Sequence, residues 1–157
     1  MNSNFKRLIP SLFITIICVT SQLLFRHSIS HINSDIISYL LYIFSHANIF
    51  HFAVNIIGLY QFKPRAKTCV IAYISSVLAG MIPFAQMDLP TCGLSGFLMA
   101  CYARRYYSHK LSFRFLLIAN LAMAFIPVFN WKIHLISFFI AYFIYGTLHY
   151  ISIHRRS

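Results

Sequence analysis

Three short stretches carry side chains suited to acyl chemistry: "GLSG" at residues 93–96, "HANIFHFAVN" at 46–55, and "KIHLI" at 132–136. A serine hydroxyl such as that of Ser95 becomes a nucleophile when a base removes its proton, and a neutral imidazole such as that of His134 is the usual base near neutral pH. Attack on a carbonyl also needs donors aimed at the oxyanion that develops, which Asn and His side chains supply together with a backbone N–H. His51 and Asn55 lie four apart and share one helical face, and His46 falls about a turn and a half before them. Gly93 would let the chain turn into a helix whose first N–H groups are free, and Gly96 would admit a neighbouring helix closely. The competing reading is structural: small residues that pack helices, and Asn and His that hydrogen-bond between them. It accounts for one such polar residue better than for five at one depth.

The scarcity of acids narrows the chemistry. The chain holds two, Asp35 and Asp88, both in predicted loops. Paired intramembrane carboxylates are therefore excluded, as is a zinc site of the HExxH type. A Ser-His-Asp triad lacks its acid, leaving a Ser95–His134 dyad as the natural arrangement. His46 and His51 have no strong haem-ligand spacing, and no metal or cofactor is expected. Cys18, Cys69, Cys92 and Cys101 show no CxxC spacing and read as packing residues.

The elements that must position these groups are membrane helices. Of 157 residues 59% are hydrophobic and 10% charged, and the mean hydropathy is +0.71, far from the balance of a water-soluble domain. The fold expected is an all-α integral membrane protein, a single six-helix domain over residues 1–157. Its spans fall at about Leu8–Phe25, Ala47–Phe62, Thr68–Ala85, Leu94–Tyr107, Phe113–Phe129 and Ile133–Tyr150. The second and fourth are short for lipid and belong inside the bundle. The stretch between the first two reads as a partly interfacial loop with a short helix. A cleaved signal peptide is disfavoured, because the first apolar run is long and no clean small-residue cleavage site follows.

A net charge of +11 could suggest nucleic acid, but the cations fall in small groups between apolar runs rather than in a basic stripe. With both termini cytoplasmic, eleven of the thirteen Lys and Arg lie on the inner side, and only Arg26 and Lys132 lie outside. This orientation places Ser95, His134, His51, Asn55 and His46 at one depth beneath the outer surface.

In this order, the stretches resemble the motifs of rhomboid intramembrane serine proteases. "HANIFHFAVN" matches HxxxxHxxxN, "GLSG" matches GxSG, and "IHLISFFIA" is similar to AHxxGxxxG. The resemblance covers roughly residues 8–150. It implies Ser95 as nucleophile and His134 as general base and acid. It also implies an oxyanion hole of His51, Asn55 and the Ser95 N–H supported by Gly93, with His46 ordering the site and its water. The substrate would be a membrane-anchored protein cut near the outer face of a bacterial inner membrane. The chain departs from the family in having Ile133, Ser137 and Ala141 for an alanine and two glycines. Met99 replaces an aromatic that often stacks on the imidazole, and Ile37 and Ser38 stand where a Trp-Arg pair is typical. The alternatives are a rhomboid-like protein that binds transmembrane clients without cutting them, a small transporter component, and a relative that trims C-terminal anchors.

Overall fold

The computed structural model describes residues 3–24, 36–85, 91–107, 118 and 130–155. Among them are six α-helices and no strand: α1 (Ser3–Leu24), α2 (Ile36–Leu41), α3 (Ile49–Phe62), α4 (Ala66–Met81), α5 (Ser95–Tyr107) and α6 (Trp131–His154). The helix expected over Phe113–Phe129 lies outside the described residues, Ile118 apart. The expected short helix before the second span is α2, which tightens into a 3-10 turn at Tyr42–Phe44.

Local chemistry sets the helix ends, and it moves several from where apolarity alone put them. Asn48 caps α3, its side-chain oxygen accepting the His51 N–H at 2.9 Å. The helix therefore starts at Ile49, and His46 stands on the segment before it rather than on the helical face that its spacing suggested. At the other end Lys63 turns left-handed (φ 44) and its N–H returns to the Leu59 carbonyl at 3.0 Å, after which Pro64 cannot continue the helix. Residue Ile82 precedes Pro83 and is extended (φ −80, ψ 119), as a residue before proline prefers. This ends α4 at Met81, short of the expected Ala85, and Pro83–Ala85 forms a separate 3-10 turn.

Helix α5 is central, packing most extensively on α6 and then on α4 and α3. Small residues let neighbours close on it. A Cβ at Gly96 would lie 3.0 Å from Ile133 Cγ2 and 3.1 Å from Ser137 Oγ, so α6 side chains pack directly on the bare α-carbon of α5, as a glycine allows. Ser137 and Ala141 of α6 are fully buried. Large apolar side chains instead cover the outside, including Phe13, Leu23, Phe50, Val54 and Phe143.

At about 1.5 Å per residue, α3 and α5 are roughly 20 Å long, shorter than a bilayer's hydrocarbon core. Helix α6 is the one described helix long and apolar enough to cross a membrane unaided. The Ile36–Phe44 and Ile49–Phe62 segments reach that length together, bent by 76° at their break.

Two polar ties hold the ends near Ser95. The Tyr42 hydroxyl donates to the Ser76 carbonyl at 2.6 Å, its ring lies over Gly80, and its own carbonyl accepts the Gly93 N–H at 3.0 Å. Asn130 caps α6 by accepting the Ile133 N–H at 3.2 Å. Its amide also donates to the Ala85 carbonyl and to Thr91 Oγ1, each at 2.8 Å. Tyr42→Phe should remove a buried hydrogen bond to a carbonyl of α4 and destabilise the protein by about 0.5–1.5 kcal/mol in chemical denaturation; an unchanged midpoint would mean that the hydroxyl contributes nothing.

Candidate active site

The site begins with a turn. Gly93 has φ +102, a conformation that favours glycine, and its missing side chain makes room for an imidazole. A Cβ there would lie 2.5 Å from His51 Cε1, 2.8 Å from His51 Nε2 and 3.3 Å from Asn55 Nδ2. The turn thus sits directly against the two polar residues of α3. The next residue, Leu94, accepts the Leu98 N–H at 2.8 Å and is the N-cap of α5. Ser95 and Gly96 therefore occupy the first turn, where the helix offers their N–H groups no partner.

Ser95 is half-buried between fully enclosed neighbours and opens on a cavity of about 320 Å³. The cavity is lined by Ser95, His134, His51, Asn55 and Gly93, with Phe50, Val54 and Ile133 among its apolar walls. Five of the six site residues expected from sequence thus line one cavity, although they come from α3, the turn at 93, α5 and α6. Its volume is at the small end of those that hold small ligands.

The sixth, His46, is 4% exposed and stands behind the lining. Its Nε2 faces the Leu94 N–H at 3.5 Å. The ring meets those of His51 (centroids 5.3 Å, 69°) and Phe52 (5.2 Å, 87°) edge-on, while its backbone N–H donates to Gln22 Oε1 at 3.1 Å. Burial, then the neighbouring His51, push its pKa down to about 4, against a smaller opposing effect of the Phe44 carbonyl. A neutral His46 is the form that can accept from Leu94, so it braces both the turn and the His51 ring.

Two buried polar atoms of the cavity lining have no hydrogen-bond partner among the described residues: Asn55 Nδ2 and His134 Nδ1. Asn55 is 4% exposed and His134 2%. Leaving such groups unpaired costs about 1–3 kcal/mol each, which a ligand accepting from Asn55 would recover. A hydroxyl, an imidazole, an amide donor and the unpaired N–H groups of a helix start therefore border one small space, the parts that acyl transfer uses. Burial raises the pKa of Cys92, also in the lining, outweighing a backbone hydrogen bond from Ala47 that lowers it. The thiol stays protonated and is a poor competitor to Ser95. Among the described residues no cluster of three metal-ligating side chains occurs.

Met99 is not part of the lining but packs against the core around α5. Sequence reasoning missed Tyr42, Thr91, Asn130 and Asn48, all of which line the cavity. The two asparagines carried a readable signal, since each precedes an apolar helix as an N-cap does. No family model matches the chain, and neither a curated protein nor a solved structure matches it significantly.

The contact between Gly93 and His51 generates a test. Gly93→Ala should destabilise the protein by about 1–3 kcal/mol through strain and overlap. Part of that loss should vanish in a His51→Ala background, with a coupling of about 0.5–3 kcal/mol. Strictly additive losses in a denaturation cycle would mean that ring and turn do not constrain one another.

Proposed function

We propose that the chain is a rhomboid-type intramembrane serine endopeptidase, a six-span membrane domain that cuts a membrane-anchored protein within or near its transmembrane segment. One observation carries this reading: the cavity whose lining brings Ser95, His134, His51, Asn55 and Gly93 together from separate elements. The motif order supports it, and so does the inversion of polarity, with Ser75, Ser76 and Ser137 buried while Phe13, Phe50 and Phe143 face outward.

In the reaction proposed, Ser95 Oγ attacks the scissile carbonyl as the His134 imidazole takes its proton. The carbonyl oxygen becomes an oxyanion that accepts from Asn55 Nδ2, the His51 ring and the Ser95 N–H. As the C–N bond breaks, imidazolium His134 gives the proton to the leaving amine, leaving an acyl ester on Ser95. A water deprotonated by His134 hydrolyses the ester and restores both residues. A helical substrate hides its carbonyls in internal hydrogen bonds, so it must unwind locally, and small or helix-breaking residues near the cleavage point favour it. Water reaches Ser95 from the outer side, opposite the basic ends of the helices, with both termini on the cytoplasmic side.

Purified protein incubated with a transmembrane reporter should release a fragment. Ser95→Ala and His134→Ala should abolish the release, and Asn55→Ala should lower kcat by about 10²–10³ with little change in KM. Equal cleavage by Ser95→Ala would overturn the reading.

A further inference from the structure

The end of the helix bundle opposite the cavity is a basic surface with almost nothing in the chain to neutralise it. Ser95 opens α5, and Arg104 and Arg105 lie in its last turn, about 15 Å away at the helical rise. Arg105 Nη2 donates to the carbonyls of Gln61 (2.9 Å) and Phe62 (3.3 Å), and its guanidinium lies 4.7 Å from the Phe62 ring centroid. The ends of α5 and α3 are thereby fixed together, next to exposed Lys63, Arg65 and Lys67. Exposed Arg104 lies 5.6 Å from the Tyr145 ring of α6, and Tyr107 meets His149 of α6 at 5.7 Å. The last turns of α6, with exposed Arg155, extend from that same end.

The chain's two acids neutralise only two of the thirteen positive charges of its Lys and Arg, leaving a net +11, so most of these cations draw their counter-charges from outside it. Their surroundings indicate which kind. Tyr106, Tyr107 and Tyr142, each partly exposed, cluster at the same end, an arrangement suited to headgroup depth. The exposed side chains of Val70, Phe143 and Ile151 continue the surface with hydrocarbon. A nucleic acid would leave those apolar groups in water, whereas a phospholipid covers them with its tails and presents a phosphate to the cations.

We infer that this basic end binds anionic phospholipid in the leaflet it meets, with Lys63, Arg65, Lys67, Arg104 and Arg155 as its phosphate contacts. The inference rests on the membrane orientation proposed above. It assigns Arg105 a separate part, closing the carbonyl end of α3 beneath that surface.

The test uses the full chain in micelles of a neutral detergent, titrated with fluorescent phosphatidylglycerol or phosphatidylcholine of the same chain length. Phosphatidylglycerol should bind at least about tenfold tighter, and added salt should erode the difference. The combined Lys63→Gln, Arg65→Gln, Lys67→Gln variant should lose on the order of a hundredfold, at about fivefold per cation. Its reporter cleavage in phosphatidylcholine should not change. Equal affinity for the two lipids, undiminished phosphatidylglycerol binding by the variant, or displacement of the lipid by an oligonucleotide at equal phosphate concentration would each overturn the inference. Reporter cleavage measured in the same preparation separates the two claims. Lipid selectivity without Ser95-dependent cleavage counts against the protease alone, and cleavage without selectivity counts against the lipid surface alone.

Discussion

The turn at Gly93 is the constraint on which the rest depends. Its φ of +102 directs the chain into α5 so that Ser95 falls in the first turn. Its bare α-carbon lets the His51 ring and the Asn55 amide approach to distances that a methyl group would occupy. Its N–H is held by the Tyr42 carbonyl, and the following N–H faces His46. One residue without a side chain thus joins the segment before α3, α3 itself and α5 at the point where chemistry is proposed.

The interior follows the same economy. Close approach of α5 and α6 at Gly96 leaves no room for a side chain there, because Ile133 and Ser137 of α6 occupy the space a Cβ would need. Polar ties are concentrated at one end of the helices, in Tyr42 and Asn130, each of which bonds two separate segments. The other end is fixed by Arg105 on the carbonyls of α3. A rigid frame of this kind can keep Asn55 Nδ2 buried without a partner, since the packing that encloses it does not depend on its satisfaction.

Much of this was legible in the sequence, and for identifiable reasons. Apolar runs located α3, α5 and α6 to within a few residues, because burial and span length both scale with them. Ser95, His51, Asn55 and His134 were readable because polar residues are costly within apolar helices and so stand out, and Gly93 because a glycine just before a helix marks a turn. What escaped notice was local capping and side-chain reach. Asn48 moved the start of α3 and took His46 off its helical face. Pro83 shortened α4 through the residue before it. Tyr42 was hidden within an apolar run, since its role depends on a hydroxyl that bonds Ser76, thirty-four residues away.

The central claim is that Ser95 is a nucleophile activated within this cavity, and covalent labelling tests it most directly. A fluorophosphonate probe added to the folded protein, with the adduct mapped by peptide mass spectrometry, should modify Ser95 in preference to the chain's other serines. The reaction should slow sharply in His134→Ala and cease after denaturation. Labelling spread over exposed serines, or a Ser95 adduct formed as fast without His134 as with it, would contradict the account.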